Sequence, residues 1–101
     1  MAVRRLAYCS PLPPQTSGIA DYSAELLPRL AEHFDCIDLF NPLAENPPST
    51  LRDRFAVRPL ASLLDHEPYD AVLYQVGNDV RFHGAIYEMA LELPGVIVLH
   101  E

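Results

Sequence analysis

Residues 71–99 read AVLYQVGNDVRFHGAIYEMALELPGVIVL, and this stretch decides the fold. Its first six residues, Ala71–Val76, are mostly apolar, as expected of a strand that is covered on both faces, and a glycine ends the run. Large apolar residues then recur at positions 82, 86, 89 and 93, which is helical spacing, until Pro94 and Gly95 end the helix. A second apolar run, Val96–Leu99, follows directly. Strand, helix and strand in this order predict two parallel strands joined by a crossover helix.

The first part of the chain repeats this alternation. Residues 3–9 form a short apolar run that predicts a first strand, and a proline-rich loop follows it. From Ser17, a suitable N-cap, we predict a helix, because large apolar residues recur at spacings of three and four. The expected buried face of this helix consists of Ile19, Tyr22, Leu26, Leu30 and Phe34.

The segments between these two parts complete the predicted sheet. Residues 36–40 predict a second strand, residues 41–54 a loop, and residues 55–57 a short third strand at an edge. Pro59 is predicted to open a short helix. With right-handed crossovers, this order predicts one α/β domain over residues 1–101. We expect a Rossmann-like, three-layer unit with a mainly parallel five-stranded sheet in the order 3-2-1-4-5.

The composition excludes several classes of function. The chain has 14 acidic and 7 basic residues, and its net charge of −7 argues against a nucleic-acid partner. Every basic residue is an arginine, which excludes a Schiff-base lysine and a P-loop lysine. No apolar stretch approaches a membrane span or a signal peptide, so we expect a cytoplasmic protein. Cys9 and Cys36 fall at opposite ends of neighbouring strands, which predicts that they form no disulfide.

Candidate functional residues collect at one end of the predicted sheet. In sheets of this order, ligands bind at the carboxyl ends of the strands where the strand order reverses, here between the first and fourth strands. Gly18 either lets the N–H groups of a helix approach an anion or is a simple turn glycine. Asn78 either caps the third helix or binds a ligand. His83, in the first turn of that helix, is either a surface or satisfied histidine or a ligand.

His100 ends the last strand at the same edge of the sheet. Its imidazole can accept a proton or form a hydrogen bond with a sugar hydroxyl there, and the alternative is a histidine without function. Glu101 either orients His100 or faces solvent. A metal would need three or four convergent ligands, and these loops offer only His83, His100 and Glu101, so we expect no metal. His100 is the candidate catalytic residue, and the candidate substrate-binding residues are Ser17, Gly18, Ile19, Gly77, Asn78, His83 and Glu101.

Four strings in these loops resemble the amino-terminal domain of GT-B glycosyltransferases of the large retaining family 4, group 1. They are SPLPPQTSGIADYS at residues 10–23, YQVGN at 74–78, FHGAIYE at 82–88 and PGVIVLHE at 94–101, in the order of that family. The resemblance implies a two-domain enzyme whose amino-terminal half binds the acceptor and whose carboxy-terminal half binds a nucleotide sugar. It implies that Ser17, Gly18 and Ile19 lie beside the donor phosphates and His100 near the transferred sugar. Glu101 stands where the family usually has an aspartate.

The resemblance also implies a larger protein. The donor-binding half would lie beyond residue 101, so we expect this chain to be an amino-terminal fragment that transfers no sugar by itself. The expected partners of the full-length enzyme are a nucleotide sugar and a sugar, glycan or lipid-linked acceptor, with no cofactor and a position peripheral to the inner membrane. A free apolar edge at the fifth strand further predicts a homodimer. The alternative is a stand-alone α/β module that binds a nucleotide or another anion without catalysis.

Overall fold

The sheet of the computed structural model has five strands, all parallel, in the order β3-β2-β1-β4-β5. The structure describes residues 4–13, 18–42, 47–66, 68–77 and 80–100, and for residues 80–82 it describes the backbone only. The predicted α/β class, the Rossmann-like sheet and its strand order are confirmed. The strands are β1 (Arg5–Cys9), β2 (Cys36–Asn41), β3 (Ala56–Pro59), β4 (Ala71–Val76) and β5 (Val96–Leu99).

Helices cover both faces of the sheet and create two cores. They are α1 (Gly18–Leu30), α2 (Ser49–Arg52), a 3-10 helix (Leu60–Asp65) and α3 (Val80–Glu92). One core lies under α1 and α2, where Leu27 and Leu51 pack on β1 and β2. The other lies under the 3-10 helix and α3, where Leu63 and Ile86 pack against the opposite face of β1 and β4. The helix that follows β1 and the helix that follows β4 thus lie on opposite faces of the sheet. The switch point of the sheet, where the strand order reverses, therefore lies between β1 and β4.

The buried face of α1 is centred one position away from the predicted one. Its buried residues are Ala20, Ser23 and Leu27, whereas Tyr22 is 44% exposed, so the predicted burial of Tyr22 is wrong. The small side chains of Ala20 and Ser23 let the helix pack close to β1, where the Ser23 hydroxyl meets the hydroxyl of Tyr8. Tyr22 consequently lies on the flank of the helix.

Several predicted boundaries also need correction. The loop predicted over residues 41–54 contains α2, a short helix whose Leu51 is buried in the core under α1. Pro59 is the last residue of β3 and precedes the 3-10 helix instead of opening it. Proline is tolerated there because β3 is an edge strand and Pro59 is its last residue. Cys9 and Cys36 are both free thiols, as predicted.

The β5 side of the molecule carries exposed apolar side chains. Val96 is 59% exposed and Leu99 is 75% exposed, because β5 pairs with β4 on one side only among the described strands. The homodimer expected from this edge stays a prediction. None of the described helices has the length and apolar character that crossing a membrane requires.

Gly95 allows β5 to begin close against β4. A Cβ atom at Gly95 would lie 2.4 Å from the Val72 carbonyl oxygen and 3.1 Å from the Tyr74 ring. The Tyr74 hydroxyl donates a hydrogen bond to the Leu93 carbonyl, so a second contact holds the turn between α3 and β5 against β4. This close packing brings the end of β5 level with the end of β4.

Candidate functional site

The carboxyl ends of β1, β4 and β5 form the rim on which the candidate residues lie. Gly77 follows β4 directly, and a Cβ atom there would lie 2.7 Å from Ile19 Cδ1 and 3.0 Å from His83 Nε2. Ile19 is in the first turn of α1, and His83 is in the first turn of α3. The two helices thus approach Gly77 from opposite faces of the sheet, and only a residue without a side chain fits between them unless one of them shifts.

His100 extends the rim towards β5. Its backbone N–H donates to the Val76 carbonyl oxygen at 2.8 Å, which continues the β4–β5 ladder by one residue past β5. Its ring Nε2 lies 2.5 Å from Gln75 Oε1. The Tyr22 ring meets the imidazole edge-on, with ring centroids 5.2 Å apart and an interplanar angle of 67°. Backbone, hydrogen bond and aromatic contact together fix the position and tilt of a half-buried imidazole.

A chain of hydrogen bonds runs from His100 into the core under α1. Gln75 Nε2 donates to the Tyr8 hydroxyl at 3.0 Å. The Tyr8 hydroxyl lies 2.8 Å from Ser23 Oγ, which lies 2.8 Å from Ser10 Oγ, and Ser10 Oγ donates to the Pro11 carbonyl at 2.7 Å. Four of these side chains are essentially inaccessible to water, because Tyr8, Ser10 and Ser23 are 0% exposed and Gln75 is 1% exposed. We call Ser10, Ser23, Tyr8, Gln75 and His100 the rim relay.

Burial keeps the phenol of the rim relay neutral. Desolvation raises the pKa of Tyr8 above its ordinary value, and the hydrogen bonds with Ser23 and Gln75 offset only part of that rise. The nearby phenol of Tyr22 raises the pKa slightly further. Tyr8 therefore keeps its proton near neutral pH, and it can donate one hydrogen bond and accept another.

His83 is buried instead of lying at the surface. It is 3% exposed, and its Nδ1 lies 3.3 Å from the carbonyl oxygen of Gln75. Of the alternatives to a ligand, the structure therefore shows a satisfied histidine and not a surface one. His83 supports the end of β4 from the face opposite to α1, and its predicted contact with a substrate stays a prediction.

The structure brings Gly18, Ile19, Gly77, His83 and His100 to the same end of the sheet. Gly18 is exposed, and no heavy atom of the described residues lies within 4 Å of the position that its Cβ would take. The other three candidates, Ser17, Asn78 and Glu101, lie outside the described residues. Within the described ranges, no three His, Cys, Asp or Glu side chains are grouped to hold a metal ion.

The residues that hold His100 were not predicted from the sequence. Gln75 offered a signal, because it is a polar residue inside the apolar strand β4. Ser23 offered another, since it lies three residues after Ala20 and four before Leu27, on the buried stripe of α1. Their pairing through Tyr8 is a long-range contact of 67 residues between β1 and β4, for which sequence spacing carries no signal.

Similarity to known proteins adds nothing to this geometry. The chain matches no protein-family model, no curated protein and no solved structure at a significant level.

Proposed function

We propose that this chain is an amino-terminal part of the acceptor-side domain of a retaining glycosyltransferase of the GT-B type, with the rim as its share of the active site. The observation that carries the proposal is the held imidazole of His100 at the carboxyl end of β5, next to β4. An imidazole fixed at the carboxyl end of the sheet suits recognition of a polyhydroxylated substrate, because one ring nitrogen is held by the protein and the other can bond a hydroxyl group.

Two neighbours of His100 support a sugar as the ligand. Tyr22 is 44% exposed and lies edge-on to the imidazole, so an aromatic surface lies beside His100. Aromatic rings give sugars an apolar face against which their C–H groups pack. Gly18 opens the start of α1, where backbone N–H groups and the helix dipole attract a negatively charged group such as a donor phosphate.

The resemblance of the four loop strings supplies the rest of the proposal. The donor is a nucleotide sugar, the acceptor is a sugar, glycan or lipid-linked sugar, and no metal or other cofactor takes part. The donor-binding half belongs to residues other than these 101, so these residues alone transfer no sugar. The enzyme works in the cytoplasm, peripheral to the inner membrane.

A titration followed by amide NMR tests the proposal. We expect simple glycosides, such as methyl glucoside and methyl mannoside, to shift the signals of Tyr22, Gly77 and His100 at millimolar concentrations. The variant His100→Ala should lose these shifts, whereas His33→Ala, a change of an exposed histidine beyond the far end of α1, should keep them. The proposal fails if no glycoside perturbs the rim, or if the shifts survive in His100→Ala.

The alternative, a stand-alone module that binds a nucleotide or another anion, has one observation in its favour. Gly18, at the start of α1, is exposed, and an anion site needs an exposed helix start. The same NMR titration with uridine, guanosine and adenosine diphosphates separates the two functions. An acceptor-side domain should bind them at millimolar concentrations or not at all, whereas micromolar binding centred on Gly18 and Ile19 would favour the module.

A further inference from the structure

We propose that Gln75 is a positioning residue that holds His100 in the tautomer with its proton on Nε2, so that Nδ1 is the nitrogen that serves the substrate. The inference deepens the proposed function, and it rests on that function only for the identity of the substrate. Its basis is which atom donates the hydrogen in each hydrogen bond of the rim relay. The donors can be assigned one after another, beginning at Ser10, the residue farthest from His100 along the relay.

The first step is at Ser10. The hydroxyl of Ser10 lies 2.7 Å from the Pro11 carbonyl oxygen, which can only accept a hydrogen bond. A serine hydroxyl has a single hydrogen, and this bond uses it. Ser10 Oγ can therefore only accept from its other partner, the Ser23 hydroxyl at 2.8 Å.

The second step passes the same constraint to Tyr8. Because Ser23 donates its only hydrogen to Ser10, it must accept in its contact with the Tyr8 hydroxyl, 2.8 Å away. Tyr8 in turn donates its only hydrogen to Ser23. The phenol is neutral, since burial raises its pKa, so this hydrogen is present near neutral pH.

The third step orients the amide of Gln75. Tyr8 has no hydrogen left for Gln75, so the group facing the phenol oxygen at 3.0 Å must be a donor, the Nε2 amide. The reversed amide would place two oxygen atoms together with no hydrogen between them in a site that water does not reach. With Nε2 on Tyr8, the amide oxygen Oε1 faces His100.

The last step fixes the histidine. Gln75 Oε1 only accepts, so the ring nitrogen 2.5 Å away must carry a hydrogen, and that nitrogen is Nε2. The neutral ring then has its lone pair on Nδ1. Protonation of the ring adds a hydrogen to Nδ1 and leaves the bond to Gln75 in place. Any proton or hydrogen bond that His100 accepts from a substrate hydroxyl consequently arrives at Nδ1.

Long-range ¹H–¹⁵N NMR of the chain labelled in its histidines tests this order, at about pH 8, where an ordinary imidazole is neutral. The His100 signals are assigned by their loss in His100→Gln. We expect a pyrrole-type shift for Nε2, a pyridine-type shift for Nδ1, and a slowly exchanging Nε2–H proton far downfield. A pyrrole-type Nδ1 in the unaltered chain overturns the inference.

Two variants separate positioning from simple packing. Gln75→Leu removes the acceptor, so the downfield Nε2–H signal should disappear and the two nitrogen shifts should move towards each other. Ser10→Ala removes the hydroxyl that fixes the direction of the other hydrogen bonds. Donor and acceptor can then exchange roles along the rim relay, and the fraction of His100 with a proton on Nε2 should fall. An unchanged His100 spectrum in either variant overturns the inference.

Two controls keep the result interpretable. Tyr87→Phe changes an aromatic residue that is 55% exposed on α3 and should leave the His100 spectrum as it is. If Gln75→Leu does not fold, Gln75→Glu keeps an acceptor at the same place and should retain the Nε2–H signal. All of these spectra are recorded without substrate. A wrong tautomer therefore counts against this inference alone, whereas absent glycoside binding counts against the proposed function.

Discussion

Replacing Tyr8 by phenylalanine should destabilise the fold by about 2–4 kcal/mol. The hydroxyl that is lost accepts from Gln75 Nε2 and donates to Ser23 Oγ, and none of the three side chains exceeds 1% exposure. A buried donor left without its partner costs about 1–3 kcal/mol, and the bond lost at Ser23, which keeps its bond to Ser10, costs about 1 kcal/mol. For a domain of this length, such a loss lowers the melting temperature by roughly 8–30 °C.

Urea unfolding followed by circular dichroism measures this loss, with Tyr87→Phe as the matched control. Tyr87 is 55% exposed, so removal of its hydroxyl should change the free energy of unfolding by less than about 0.5 kcal/mol. The double variant of Tyr8→Phe and Ser23→Ala should lose less than the sum of the single losses, with a coupling of about 0.5–3 kcal/mol. A Tyr8→Phe loss as small as that of the control, or strict additivity, would refute the rim relay as a connected network.

Three further outcomes are expected. Gly95→Ala should cost about 1–3 kcal/mol in urea unfolding, because the new Cβ meets the Val72 carbonyl oxygen at 2.4 Å, and a loss below about 0.5 kcal/mol would contradict the close start of β5. A chromogenic disulfide reagent should react quickly with half-buried Cys36 and slowly with Cys9, whose thiol pKa is raised by burial; two fast thiols in the folded chain would contradict this. The phenol of Tyr69 has a pKa raised by burial and by its bond to a carboxylate, so above about pH 10, where unfolded tyrosines ionise, stability should fall with rising pH; Tyr69→Phe should flatten that fall, and an equal slope in both chains would count against it.

The sheet could be predicted from the sequence because its signals are local. β4 and β5 are apolar runs with clear ends, and both were predicted with the bounds that the structure shows. The strand order followed from the alternation of strands and helices together with the handedness of crossovers. The third strand and α2 were harder to predict, since a four-residue strand at an edge and a four-residue helix carry little periodicity.

The candidate site could be located from the sequence but not described. Topology alone indicates that His100, Gly77 and the start of α1 share one end of the sheet, and the described residues do meet there. The environment of His100 depends on Gln75 and Tyr22, which reach it from two other elements. The burial of Tyr22 was predicted wrongly because periodicity favours large residues for the buried stripe, whereas close helix packing selects the small ones.

The rim relay also bears on the order in which the molecule is assembled. Tyr8 and Gln75 are 67 residues apart in the chain, and His100 lies 25 residues beyond Gln75. Contacts over such separations form late and slowly in parallel sheets, because the intervening loops must close first. The orientation of the histidine is therefore set only when the first strand, its helix and the last strand have all docked. A ring held in this way reports on whether β1, α1, β4 and β5 are docked together, and local opening of α1 would remove the Tyr22 contact before the sheet itself comes apart.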